Sequence, residues 1–123
     1  MSEKTKKLLD EMQKKRGYVY PPYELLAKTD PDFLEAYNKI WELIMPRKRI
    51  FPEKIKEIFY TIAIASRNPS DKNALKNHMR RALEMGATKE EMVEALQCAF
   101  LPNGALTMLY GMDTLMEVLK EKK

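Results

Sequence analysis

The chain carries one cysteine, one histidine and one tryptophan in 123 residues. Because Cys98 is alone, an intrachain disulfide and a cysteine metal cage are both excluded. No metal centre is expected. Long apolar runs are also missing. The longest, Ile58 to Ala65, falls far short of the ~20 residues a membrane-spanning helix needs. The opening SEKTKKLLDEMQKK is charged throughout and has no signal-peptide core. A soluble, cytoplasmic protein is therefore expected, with no membrane partner. Strong charge of one sign is absent too: 22 Lys and Arg face 18 Asp and Glu, leaving a net charge of +4. The basic clusters Lys14-Lys15-Arg16 and Arg47-Lys48-Arg49 have phosphate-binding chemistry. No aromatic or glycine-rich nucleic-acid motif accompanies them, so nucleic acid is not an expected partner.

What remains is a chain with 45% hydrophobic residues, enough for one globular domain over 1–123 that buries a core without staples. Every long segment has helical periodicity, so the fold is expected to be all-α with about six or seven helices. Ser2 caps a first helix with the stripe Leu8, Leu9, Met12, ending at Gly17. A connector rich in tyrosine and proline leads to a short helix near 23–27. Asp30-Pro31 opens a helix bearing Phe33, Leu34, Tyr37, Ile40, Trp41 and Ile44, which stops before Pro46. Pro52 opens PEKIKEIFYTIAIAS, which becomes apolar on all sides, as a centrally packed helix does. Asn68-Pro69 breaks it, and Ser70 is the expected cap of the helix that carries His78. Gly86 ends that helix, and Thr88 with Glu91 forms a capping box for the next, through Phe100. Pro102-Asn103-Gly104 reads as another break before a last amphipathic helix. There Met108, Met112 and Met116 recur at helical spacing, as core or subunit-interface filler.

The run from Pro52 to Leu115, with PEKIKEIFYTIAIAS, the phrase HMRRALEMGATKEEMVEAL, the break PNGA and the last amphipathic helix, resembles the carboxymuconolactone decarboxylase and alkylhydroperoxidase D-like family. The resemblance places the family core at about 50–116, with an N-terminal helical extension over 1–49. It implies an all-α fold assembled into homotrimers or homohexamers. Apolar residues on several helix faces agree with a homo-oligomer. The peroxidase branch of this family uses Cys-x-x-Cys-x-x-x-His with a glutamate on the preceding helix. Counting back from His78, Asp71 and Ala74 stand where the cysteines belong. A thiol peroxidase needs one thiolate to attack and a second to resolve, so that chemistry is excluded. The decarboxylase branch keeps the histidine and works without the cysteines, and no cofactor is implied.

The candidate catalytic residues are His78 and Glu57. His78 lies on the apolar stripe of its helix with Ala74, Leu75, Met79 and Ala82. It reads either as a proton donor or acceptor or as a buried histidine bonded across a helix pair. Glu57 aligns with the relay glutamate and shares a face with Tyr60, Thr61 and Ile64. Its alternative is an exposed glutamate near the helix start, favoured by the dipole. The separation of the two is longer than the peroxidase branch leads one to expect, which suggests a longer turn over 68–70. Arg81 is the expected anchor for a substrate carboxylate, ahead of Arg80. Asp71 is a second substrate-binding or imidazole-orienting candidate. Cys98 reads as a small buried residue, and the tyrosines Tyr18, Tyr20 and Tyr23 as packing. The expected activity is a cofactor-free decarboxylation or proton transfer on a small carboxylated lactone or acid. The alternatives are a non-catalytic scaffold or small-molecule binder of the same fold, and a residual redox activity through Cys98.

Overall fold

The computed structural model describes residues 1–67 and 71–121. Among them all the regular structure is helical, with seven helices and no strand. It divides into two compact units, Met1–Arg47 and Lys48–Lys123.

The first unit holds α1 (Glu3–Arg16), α2 (Pro21–Thr29) and α3 (Pro31–Ile44). Ser2 caps α1 by accepting from the Thr5 N–H, and Gly17 ends it at φ 84°. That left-handed position favours glycine because a side chain there would crowd its own backbone. Helix α2 extends beyond the expected 23–27 at both ends. Pro21 and Pro22 sit in its first turn, where an N–H has no partner to lose. Asp30 caps α3 through the Phe33 N–H, with Pro31 at the first helical position. The core of this unit is Met12, Tyr23, Ala27 and Leu34.

The second unit holds α4 (Glu53–Ala65), α5 (Lys72–Glu84), α6 (Lys89–Asn103) and α7 (Ala105–Lys120). As its apolar composition leads one to expect, α4 packs against α5, α6 and α7. Its inward stripe is nevertheless partly polar, with Glu57 and Thr61 buried beside Ile64, while Phe59 faces out. Asn68, Pro69 and Ser70 lie outside the described residues. The cap expected of Ser70 belongs to Asp71, whose carboxylate accepts from the Ala74 N–H at 3.1 Å. The helix starts one residue later than a serine cap requires, so Asp71 is the residue whose side chain reaches back.

Gly86, at φ 102°, turns the chain, and the Thr88–Glu91 capping box is formed in both directions. The break expected at Pro102 falls later. Helix α6 runs through Pro102 to Asn103 and stops at Gly104, at φ 91°. A proline this near the end removes one helical hydrogen bond but fits helical φ. The Asn103 side chain donates to the Ala99 carbonyl and to the hydroxyl of Ser66, the residue just past α4, tying the last turn down. Along α7, Met108 and Met112 pack against the core whereas Met116 is exposed. Gly111 lets α7 press against α6: a Cβ there would overlap the side chain of the fully buried Leu96.

Candidate active site

The site is built by α4 and α5, which run antiparallel. One contact joins Glu57 to His78; the next joins Glu53, one turn earlier on α4, to Arg81, one turn later on α5. His78 sits at the middle of α5, where its stripe neighbours Leu75, Met79 and Ala82 are all fully buried. Its Nδ1 lies 2.9 Å from Glu57 Oε1. Both side chains are sealed: His78 is 1% exposed and Glu57 2%. Glu57 stands in the second turn of α4, not at an exposed helix start. Burying a carboxylate is costly unless it is hydrogen-bonded to a partner that shares its charge or proton, and the imidazole is that partner. On the next turn of α4, Thr61 folds its hydroxyl back onto the Glu57 carbonyl at 2.8 Å. That bond leaves no polar hydroxyl of Thr61 stranded in the core.

Tyr60, which the sequence suggests only as a residue on the Glu57 face, contributes more. Its ring lies flat over the imidazole, with centroids 3.6 Å apart and planes inclined by 15°. The Glu57 contact sets the direction of the ring within its plane, and the tyrosine sets the plane. Spacing along α4 gives a weak signal for this residue: Tyr60 is three positions on from Glu57, on the same side of the helix.

The arginines separate. Arg81 reaches Glu53 at 3.4 Å and Glu84 at 3.1 Å. Its guanidinium therefore stands beside the buried pair with carboxylates already in its fork. Arg80 turns to α7, where Nε and Nη2 hold both oxygens of Glu121 at 2.7 and 2.8 Å. Those bonds raise the Arg80 guanidinium above its ordinary range and hold the Glu121 carboxyl below its own. Asp71 is not brought to His78; it caps the start of α5, about two turns away. Cys98, expected to be buried, is exposed on α6. The reason is helical phase, because the inward residues of α6 are Met92, Leu96 and Ala99. No group of three His, Cys, Asp or Glu side chains comes together as a metal site among the described residues. No described helix is long and apolar enough to cross a membrane.

The first unit holds a second buried charge that the sequence conceals within a basic cluster. In Lys14-Lys15-Arg16, Lys15 pairs with Glu42, while Arg16 is 1% exposed and completes the α1 stripe after Thr5 and Met12. Its guanidinium donates to Tyr23 Oη at 3.0 Å and to Asn38 Oδ1 at 2.9 Å. The rings of Tyr23, Tyr37 and Trp41 surround it, at 5.2, 5.8 and 4.5 Å. Burial, before any charge effect, pushes the Tyr23 phenol far above its ordinary range.

Residues 31–113 match the model of the carboxymuconolactone decarboxylase family. The chain belongs to this family. The match takes in α3 and runs through α4, α5 and α6 into α7, so both candidate catalytic residues of this family member lie inside it. A protein of Methanocaldococcus jannaschii, itself uncharacterised, is 24% identical over 95 residues, spanning 77% of this chain and 86% of that relative. The crystal structure of a provisionally assigned carboxymuconolactone decarboxylase from Burkholderia xenovorans superposes with a TM-score of 0.80 at 19% identity. That superposition covers 98% of this chain and 96% of the other. A carboxymuconolactone decarboxylase-type fold is thus shared along almost the whole chain, including the helices before residue 31.

Proposed function

We propose that this family member is a cofactor-free acid–base enzyme in which His78 and Glu57 move a proton on a small carboxylated lactone or related acid. One observation carries the proposal: the only histidine in the chain is held by a carboxylate at 2.9 Å inside a water-excluded helix pair. A carboxylate on Nδ1 orients the ring and stabilises positive charge while a proton passes through the other nitrogen. In a decarboxylation the carbon that loses carbon dioxide keeps the bonding electron pair and takes a proton, which the imidazole would deliver. Arg81 is the nearby cation with the fork geometry for a substrate carboxylate. To serve, it would exchange the exposed Glu84 for the substrate.

The test is turnover of 4-carboxymuconolactone, followed by loss of substrate. The expected outcome is measurable turnover by the natural chain and a loss of about 10²- to 10⁴-fold in His78→Gln and Glu57→Gln, the range general acid–base groups supply. Equal turnover by all three proteins, or none by the natural chain, overturns the decarboxylase. A second reading, a non-catalytic scaffold of the same fold, is supported by how tightly the pair is sealed. Neither consumption nor saturable binding of the lactone by the natural chain would favour it.

We further propose that the protein works as a homo-oligomer in the cytoplasm. Phe33, Tyr37, Ile40 and Ile44 recur at helical spacing on α3 and stay exposed, as do Leu106 and Leu109 on α7. Apolar stripes of this kind are more often covered by partners than left to water. Light scattering on the purified chain should return the mass of a trimer or hexamer; a monomer overturns this part.

A further inference from the structure

Helix α3 carries an apolar stripe that the first unit leaves uncovered. Phe33, Tyr37, Ile40 and Ile44 follow one another at intervals of four, three and four residues, and Ala36 and Leu43 widen the stripe along one edge. Phe33, Ile40 and Ile44 are each more than half exposed, Tyr37 and Leu43 slightly less. This interval is that of a helix-pairing seam, in which apolar residues repeat every 3.5 positions and meet a second helix with the same repeat. No residue of the stripe is charged. The glutamates of the helix are engaged elsewhere, Glu35 with Lys4 and Glu42 with Lys15, both from α1. Lys39 lies beyond the edge of the stripe, where a long side chain keeps its ammonium in water.

Two further features say which helix fits. Charge is unequal along α3: Asp30 and Asp32 stand at its start, and Arg47-Lys48-Arg49 follows its end. A second α3 laid antiparallel brings each acidic start beside the other's basic end and opposes the two helix dipoles, whereas a parallel one sets like charges together. Antiparallel pairing also places Phe33 against Ile44 at both ends and Tyr37 against Ile40 in the middle, with small Ala36 beside the larger Leu43. At about 100 Å² for each half-exposed large side chain, five from each of two copies bury on the order of 1,000 Å², the size at which a specific interface becomes stable.

We infer that α3 is the contact through which two copies of the chain pair, antiparallel about a twofold axis beside Tyr37 and Ile40. The inference rests on the homo-oligomer proposed above and makes its copy number even, because such a contact uses the same patch on both copies.

Light scattering over a range of concentrations should show an even number of copies for the natural chain. Ile40→Glu should halve that number and raise the dissociation constant at least about tenfold. Leu25→Glu, at a similarly exposed residue of α2 off the stripe, should leave the mass unchanged. Circular dichroism confirms that each variant is folded; if Ile40→Glu is not, Ile40→Ser takes its place. In a Cys98→Ser background, oxidation should join co-expressed Phe33→Cys and Ile44→Cys chains to each other and leave either variant alone unlinked. A natural monomer removes the pairing together with the oligomer. An odd copy number, or a folded Ile40→Glu of unchanged mass, overturns the pairing and leaves the oligomer standing. Phe33→Cys chains linked to one another mark a parallel contact and overturn the antiparallel one, as does the absence of the mixed product.

Discussion

In the first unit Arg16 is enclosed by Tyr23, Tyr37, Trp41 and the Asn38 amide, with no carboxylate bonded to it among the described residues. In the second, Glu57 and His78 are enclosed against each other. Each arrangement removes an ionisable group from water, and the partners decide what it can then do. A guanidinium holds its proton at any ordinary pH, so a shell of π-faces and neutral oxygens makes Arg16 a fixed packing element. The rings offset part of the lost hydration through cation–π attraction. An imidazole can both give and take a proton at its ring nitrogens, and here one of them is held by a carboxylate. The same degree of burial therefore yields a rigid post in one unit and, in the function proposed above, a proton-handling pair in the other.

The sharpest way to break this contrast is to remove one member of each arrangement. Glu57→Ala leaves His78 buried beside an empty space and should cost about 3–5 kcal/mol, the usual penalty for breaking a buried pair. Glu57→Gln keeps a hydrogen bond and should cost much less while losing the proton acceptor. Urea denaturation of the two variants separates stability from activity. In the first unit, Arg16→Ala leaves a cavity among three rings and takes a hydrogen-bond donor from Tyr23 and Asn38, at about 3 kcal/mol. Arg16→Lys should recover only part of that, since an ammonium cannot reach Tyr23 and Asn38 in one plane. Trp41, the sole tryptophan, reports on this unit by fluorescence. If Arg16→Lys is neutral, the guanidinium is not the feature that matters there.

Local effects should be smaller and similar in the two units. Ser2→Ala and Thr88→Ala each remove a helix cap, worth about 1 kcal/mol. Thr88 should be the more costly because it belongs to a two-way box. Thermal melts check both. The smallest effect is acid sensitivity, and it should set the units apart. Lys72 and Lys76 hold the Glu117 carboxyl below its usual range, and Arg80 holds that of Glu121. Such depressed carboxylates add stability above the unfolded pKa of about 4.3 and lose it as pH falls through their lowered folded values. Protection of the amides at the end of α7, corrected for the intrinsic exchange rate, should therefore fall below about pH 4. The α1 amides around Arg16, whose side-chain partners Tyr23 and Asn38 are neutral, should keep theirs over the same range. Equal loss of protection at the two places contradicts the distinction.

The sequence is most legible where the physics is local. Ser2, Asp30, Thr88, Gly17 and Gly86 stand at helix ends because caps and left-handed turns are decided by a few adjacent residues. The family phrase around His78 likewise reads directly from the chain. Three features were hidden for a common reason. Arg16 reads in the sequence as part of a basic cluster with phosphate-binding chemistry, Cys98 as a small core residue, and Tyr60 only as a residue on the Glu57 face. Each position depends on which way a helix is turned in its packed surroundings, and residue type alone does not carry that phase. The missed cap at Asp71 is a smaller case, where two adjacent residues were both able to cap and the helix start decided between them. The pairing of Glu57 with His78 was visible only through the family pattern, since residues this far apart in sequence meet through tertiary packing.

The most direct measurement is a nitrogen-15 spectrum of the chain labelled at histidine, which contains a single imidazole. The account predicts a proton on Nδ1 that exchanges slowly with solvent in the natural chain, remains protected in Tyr60→Phe, and is lost to rapid exchange in folded Glu57→Ala. A bare Nδ1, or a ring signal unchanged by Glu57→Ala, would contradict the pairing on which the proposed chemistry stands.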